Sequence, residues 1–499
     1  MIENKISISD IKEIFEKENI NAQIFCPEKL FSHKFTYLSY NSADIEENTF
    51  FICKGAAFKA QYLEDAVRKG AGAYIAEKKY EGVDIPCVVT DDIRRGMAIL
   101  SKAFYGEAYK SLKLVGLTGT KGKTTTTYFI KNVLDKYTGM RTGVLSTIEI
   151  YTGAEDHESH LTVPESPDLH KYFAQCKDSA IPYLTMEVSS QAYKVNRVYG
   201  TEFDVGVFMN LGEDHIGPLE HEDAEDYFRC KLELMKHCQT AVINKNSERF
   251  DEIYATAKEH AKTVITYGDD TCDYWVENIQ KEDIGFSFTI KCKNRNESNF
   301  RIKMAGRFNV ENALTAYCVA KALGVDENSI AHGLWDVEVR GRMNVFEKDG
   351  ITVIVDFAHN YLSFSKLYES VKADYPESRI SVVVGAPGGK STGRRRDIGE
   401  LGGKNADYMY LTADDPQFED VRSICEEIAF YVKPYGTPYE IIEDRAEAVE
   451  KAIMSAKKGD VVILAAKGEE VYQKVQGKYV PYESDIAIAK RCLEILAVK

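Results

Sequence analysis

Short apolar runs alternate with helix-spaced patterns along most of the chain. Residues 1–20 read as a polar amphipathic helix. Residues 49–53 are a strand pattern, and 60–69 an amphipathic helix that Gly70 is placed to end. Residues 73–76 and 85–90 are further strands, and 92–105 is a helix leading onward. Residues 1–108 thus form a small α/β unit without evident catalytic groups, and we read it as a recognition module. A second unit, 109–336, opens with a buried strand at 114–117 and continues with strands at 184–188 and 205–209. A third, 337–499, has strand patterns at 352–356, 380–385, 408–412, 439–443 and 461–465, with helices between them. There, Asp444 is an N-cap with Glu447 three residues on. The predicted class is α/β in three domains: a small α/β domain, a central parallel-sheet domain and a Rossmann-like C-terminal domain.

The strand at 114–117 runs into Gly119-Thr120-Lys121-Gly122-Lys123-Thr124, after which Tyr128, Phe129, Ile130, Val133 and Leu134 recur at helical spacing. Strand, glycine turn and helix in that order make a phosphate loop. The spacing is compressed, because Leu117 stands where the standard pattern has its first glycine. Lys123 is suited to reach terminal phosphates and the Thr124 hydroxyl to ligate Mg²⁺. Other polar groups collect at predicted strand ends: Glu187 with Ser189 and Ser190, then Asn210, Asp214 and His215. Open α/β sheets bind ligands at such ends, and Glu187 and His215 are candidates to converge on the Thr124 metal.

Composition narrows the function. The 499 residues exceed one core, and 44% hydrophobic with 28% charged residues is ordinary for a globular protein. A net charge of −15 argues against a nucleic-acid partner. No apolar run approaches a membrane span and no secretory signal is evident, so the expected address is cytoplasmic, without membrane insertion. The 11 cysteines show no zinc-type spacing and read as reduced. No heptad pattern is visible, and a monomer is expected.

The segments GTKGKTT, MEVSSQA, NLGEDHIGPLEH, YFRCKLELM, GRFNVENALTA, VRGRMNVF, VDFAHN, LTADDPQFED and AAKGEEVYQ stand in the order found in Mur ligases. The chain resembles that family over nearly its whole length. Within the family it looks most like the members that add the third stem-peptide residue to UDP-N-acetylmuramoyl-L-Ala-D-Glu in peptidoglycan precursor synthesis. The resemblance implies a UDP-sugar-binding first domain, an ATP-binding central domain and an amino-acid-binding C-terminal domain. It implies that ATP phosphorylates a carboxylate of the muramoyl dipeptide, that an amine attacks the acyl phosphate, and that ADP and phosphate are released. Negative charge crowds between ATP and a carboxylate, which metal ions and cationic side chains relieve.

Carried over by residue, the ATP loop is Gly119, Thr120, Lys121, Gly122, Lys123, Thr124 and Thr125. Thr124, Glu187 and His215 match magnesium ligands. Lys231 matches a lysine that is carbamylated in the family and helps bind a second Mg²⁺. Asn309 and Asp356 match nucleotide contacts, His359 lies in the same loop as Asp356, and Arg340 and Arg342 flank Gly341 near the phosphates. Lys123, Lys231, His215, Glu187 and Arg342 are the catalytic set. Ser42 matches a uridine contact; Thr162, Ser189 and Arg197 match contacts to the muramoyl-peptide arm. The chain departs from the family at Ala43, Val163 and Tyr361-Leu362. The first two lack the usual arginine and hydroxyl, as in a divergent paralogue.

The diaminopimelate-adding type carries Asp-Asn-Pro-Arg where this chain has Asp414-Asp415-Pro416-Gln417. An acidic loop suits a side chain that ends in an ammonium, and L-lysine is the expected amino acid. Asp414, Asp415 and Glu470 are the candidate acidic groups, with Asp415 and Glu470 meeting the ε-ammonium. Lys390 is the candidate for the α-carboxylate. Alternatives are a paralogue acting on another acceptor or on diaminopimelate, a folylpolyglutamate- or cyanophycin-type ligase, and a phosphate-loop regulatory NTPase.

Overall fold

The computed structural model describes residues 5–496, apart from 56–57, 160, 213, 218–219, 294–296 and 390–391. The strands fall into four sheets. The first runs Ala22–Phe25, Cys87–Thr90, Ala71–Ala76, Thr49–Ile52, Tyr37–Ser39, parallel except at the Ala22–Phe25 edge. Helix Ala60–Lys69 ends at Gly70, whose φ of 117° lies in the left-handed region that glycine adopts without strain.

The second sheet has 11 strands. Its centre is Lys113–Thr118, paired in parallel with Tyr183–Glu187 on one side and Phe203–Phe208 on the other. The register sets Glu187 opposite Leu117 and Phe208 opposite Thr118, so their following loops emerge at one edge. The parallel core is extended by strands that the buried-run pattern does not announce, paired antiparallel except where Tyr274–Lys281 joins Thr263–Gly268 in parallel. Tyr274–Lys281, Phe286–Cys292 and Ser298–Ile302 add one wing; Ile150–Tyr151 and Asp156–His157 add the other.

Helix Lys123–Thr138 buries Phe129, Ile130, Val133 and Leu134 against helices Phe308–Ala322 and Glu327–Trp335. The third sheet runs Asn344–Lys348, Ile351–Asp356, Val461–Ala465, Ile380–Val384, Tyr408–Leu411, Tyr439–Ile441, parallel except for its first strand. A separate hairpin, Tyr472–Val475 with Lys478–Pro481, meets the acidic loop where Gln417 bridges to Val475. Among the described residues no helix is long and apolar enough to cross a membrane.

Candidate active site

The loop after Lys113–Thr118 is fixed from several directions. Gly122 has φ 81°, and a Cβ there would stand 2.7 Å from Asn312 Oδ1 and 2.9 Å from Met209 Cε. Only glycine tolerates both the dihedral and the approach. Asn210 Oδ1 accepts from the Lys121 amide at 2.8 Å, and its Nδ2 donates to the Lys121 carbonyl at 3.0 Å. The Thr120 hydroxyl meets the Gly212 carbonyl at 3.1 Å and the Tyr227 hydroxyl at 3.2 Å. Thr125 is buried in the first turn of the following helix. Asn309, expected at the nucleotide, is fully buried and stands one layer behind the loop. Its Nδ2 donates to Ala305 at 2.7 Å and its Oδ1 accepts from Asn312 at 2.8 Å, which orients the amide touching Gly122.

Two ammonium groups share one carbonyl. Lys123 Nζ donates to the Gly119 carbonyl at 2.8 Å, and Lys231 Nζ donates to it at 3.0 Å. Lys231 is 2% exposed, over the Tyr227 ring at 4.5 Å. Burial, reinforced by the nearby Lys123 charge, pushes the Lys231 ammonium well below the ordinary lysine range. Burial lowers Lys123 as well. Glu187 accepts from the Thr124 hydroxyl at 2.9 Å and from the Thr147 amide at 2.8 Å. Thr162 continues that chain through the Thr147 hydroxyl at 3.3 Å. His215, at φ 58°, turns Nδ1 to Glu220 at 2.7 Å. Glu187 ends the strand on one side of Lys113–Thr118 and His215 follows the strand on its other side, and the two face different partners.

Asp214 is the junction between the second and third sheets. It accepts from Arg394 at 2.9 Å and from the Asn360 side-chain amide, and lies 3.6 Å from Lys121 Nζ. Burial alone would raise its pKa, yet Lys121 and Arg394 outweigh that and hold the carboxyl well below its usual range. Lys121 Nζ also stands 3.0 Å from His359 Nε2. Burial, opposed by Asp214, brings the Lys121 ammonium down to about 7. Asp356 accepts from the Met343 and Ala358 amides at 2.9 and 2.8 Å, anchoring the segment that lays Arg342 over Phe357 at 4.5 Å. Arg340 is exposed, 3.8 Å from Glu469.

A cleft of about 710 Å³ runs between the sheets, with Thr147, Arg340, Arg342, Lys467 and Glu470 in its wall. At its acidic end, fully buried Lys467 donates to Asp415 and Glu470, each at 2.6 Å, with Asp414 at 4.0 Å. The carboxylates expected to meet a substrate ammonium are thus already bridged by one from the chain itself. Lys390 lies outside the described residues.

A second cleft, about 490 Å³, has Ser42, Lys54, Phe58, Asp168 and Lys171 in its wall. Ser42 is half-buried there, and its carbonyl accepts from Lys69 at 2.6 Å. Beside it, Glu165 is gripped by Arg94 at 2.7 Å, Arg197 at 3.0 Å and Lys54 at 3.2 Å. Ser189 is the N-cap of the short helix Ser190–Lys194. Sequence reasoning missed Thr147, Glu165, Asn360, Arg394 and Lys467. Glu165, Asn360, Arg394 and Lys467 were in view within the LTVPES, VDFAHN, GAPGGKSTGRRRD and AAKGEE segments without a role assigned to them; Thr147 carries no local signal.

The family described as Mur ligase middle domain matches residues 117–320, and the one described as Mur ligase, glutamate ligase domain matches residues 341–468. The chain is 37% identical to the UDP-N-acetylmuramoyl-L-alanyl-D-glutamate--L-lysine ligase of Enterococcus faecalis, over 97% of this chain and 98% of that one. The chain belongs to the Mur ligase family. As a Mur ligase its fold is also similar to a solved UDP-N-acetylmuramoyl-L-alanyl-D-glutamate--2,6-diaminopimelate ligase, with TM-score 0.66 and 23% identity over 99% of both chains. The MurF ligase of Thermotoga maritima, solved in complex with ADP, matches at TM-score 0.61 and 20% identity, covering 92% of this chain and 96% of that one. In this Mur ligase the two matched regions meet at Asp214 and enclose the larger cleft.

Proposed function

We propose that this Mur ligase couples ATP cleavage to an amide bond between UDP-N-acetylmuramoyl-L-Ala-D-Glu and L-lysine. Residues 1–108 would hold the uridine nucleotide, 109–336 ATP, and 337–499 the amino acid. The observation that carries the reading is one continuous cleft. Thr147, whose amide and hydroxyl hold Glu187 beside the phosphate loop, lines one part of it, and the acidic cluster around Glu470 lines another. Phosphate transfer and amine attack need those two chemistries within reach of one carboxylate.

Thr124, Glu187, His215 and a carbamate on Lys231 would hold Mg²⁺, which neutralises charge between a triphosphate and the acceptor carboxylate when bound. The donor set fits, because Thr124 and Glu187 already share a hydrogen bond beside the loop. Carbamylation requires a neutral amine that attacks carbon dioxide and releases a proton, and burial of Lys231 favours that amine. Lys121, Lys123 and Arg342 supply positive charge around the forming acyl phosphate. Ser42 and its cleft would take the uridine end, and Thr162, Ser189 and Arg197 the peptide arm. Asp414, Asp415 and Glu470 give the amino-acid end an excess of carboxylates over Lys467, which favours an ε-ammonium. The net charge of −15 opposes a nucleic-acid partner, and we assign a cytoplasmic monomer without membrane insertion.

A second reading rests on Lys467. Diaminopimelate ends in both an ammonium and a carboxylate, and a buried ammonium flanked by acids could bind that pair. Competition decides. Enzyme with ATP, Mg²⁺, the UDP-muramoyl dipeptide and equal L-lysine and diaminopimelate is expected to yield mainly the lysine product by mass spectrometry. A preference for diaminopimelate, or equal yields, overturns the specificity. ADP release without any new amide overturns the ligase reading itself.

A further inference from the structure

One side-chain cluster outside both clefts joins three different ligand chemistries. Helix Ala224–Lys236 carries Asp226 and Cys230 four residues apart, hence on one face. His221, in the segment before the helix, reaches the same face: its Nδ1 lies 2.9 Å from Asp226 Oδ2. Cys230 Sγ lies 3.6 Å from Asp226 Oδ1. The three donor atoms all lie within 4.8 Å of one another. On the far side of the ring, Nε2 meets the buried Ser190 hydroxyl at 2.8 Å, which fixes the orientation of the imidazole.

We propose that His221, Asp226 and Cys230 form a binding site for one Zn²⁺ ion. One imidazole nitrogen, one carboxylate oxygen and one thiolate are all ordinary zinc donors. Zinc–ligand bonds of about 2.0–2.3 Å place neighbouring donors roughly 3.3–3.7 Å apart in a tetrahedron. Cys230 Sγ already stands at such a distance from Asp226 Oδ1, whereas the 2.9 Å contact of His221 is to the other oxygen, Oδ2, so the carboxylate turns slightly for one oxygen to serve as the ligand. A thiolate in the set disfavours Mg²⁺, which prefers oxygen. Asp226 and Cys230 are half-buried, which leaves an entry path for the ion.

Binding has a definite proton balance. The Cys230 thiol loses its proton to solvent as its sulfur bonds the metal. The imidazole proton that faces Asp226 is lost from Nδ1, and one is gained at Nε2, where it is donated to Ser190 Oγ. The ring therefore stays neutral, with its Nδ1 lone pair free for the ion. The ammonium of Lys194, now paired with Asp226, gives way to the dication. The consequence is mechanical: the ion ties the segment carrying Asp214 and His215 to the helix that presents Lys231, the residue after Cys230.

Cobalt(II) is the probe, titrated into nucleotide-free full-length protein with excess Mg²⁺ present. One equivalent is expected to produce a thiolate-to-cobalt charge-transfer band, which an oxygen-only magnesium site does not give. Cys230→Ser is expected to lose the band. In the unmodified protein, Zn²⁺ is expected to slow alkylation of Cys230 by iodoacetamide at least tenfold, read by peptide mass spectrometry. Absence of the band, its survival in Cys230→Ser, or unchanged alkylation of Cys230 would each overturn the site.

Discussion

Lys123 and Lys231 direct two ammonium groups at the Gly119 carbonyl, and only one full charge is comfortable there. Lys231 is the deeper of the pair in apolar contact, so it gives up its proton first. Lys231→Ala is expected to lower turnover by at least about a hundredfold, the scale of losing a group that stabilises developing charge. Labelled bicarbonate should give a carbamate carbon signal in the parent protein and none in the variant; near-parental turnover would refute the role. Lys121 behaves differently. Its folded pKa of about 7 lies below the ordinary 10.5. Between those values the unfolded chain holds a proton that the folded chain lacks, so its contribution to stability rises with pH and is least favourable below 7. A bound polyphosphate reverses the shift, so nucleotide binding at pH 8 should take up protons. Calorimetry in buffers of different ionisation enthalpy reads that uptake, and Lys121→Met should remove most of it. At Lys467, replacement by Met leaves Asp415 and Glu470 facing each other without their shared ammonium. Removing one partner of a buried ionic group costs about 3–5 kcal/mol. Thermal unfolding should show the loss, and added L-lysine should recover part of it if its ε-ammonium enters the same pocket.

Helix Lys123–Thr138 is held by backbone contact as much as by side chains. A Cβ on Gly333 would stand 2.4 Å from Val133 Cα, so helix Glu327–Trp335 lies directly on the phosphate-loop helix. Gly333→Ala should push the two apart at a cost of about 1–3 kcal/mol, the usual range for overpacking. Lower ADP affinity should accompany the lower melting temperature, because Val133 lies on the helix that begins at Lys123; an unchanged melting temperature would refute the contact. Elements of this kind divide by how local their signals are. The buried strands Ile351–Asp356, Ile380–Val384 and Val461–Ala465 were legible because each is a short apolar run between turn residues. Strand Tyr274–Lys281 was not: it is half-exposed, carries Glu277, Asn278, Gln280 and Lys281, and breaks register between Glu277 and Gln280. The phosphate loop was legible because its glycines and Lys123 lie within a few residues. The Asp214 junction was not, because Asn360 lies 146 residues away and Arg394 180 residues away. Lys467, inside a recognised segment, was passed over because sequence alone does not show that its ammonium fills an acidic pocket.

At the scale of the molecule, the same Asp214 carboxylate is one of the contacts that join the central and C-terminal sheets, beside Lys366 with Glu311 and Lys281 with Asp374. Its side chain is 2% exposed, and that of Arg394 is 10% exposed, so solvent screens the pair weakly. Arg394 and Asn360 both come from the C-terminal region, whereas Lys121 belongs to the phosphate loop, so closure and nucleotide binding share one anion. If this junction sets the closed arrangement, Arg394→Ala and Asp214→Asn should each enlarge the radius of gyration of the nucleotide-free protein in small-angle scattering. Each should also slow turnover more than it weakens ADP binding, because an open cleft still holds nucleotide on the loop but admits water to the acyl phosphate. The two changes remove the same contact, so the double variant should fall short of their sum by about 1 kcal/mol or more. Unaltered scattering together with additive effects would mean that the two halves are held by other contacts, and that Asp214 serves only to oppose the lowering of the Lys121 pKa by burial.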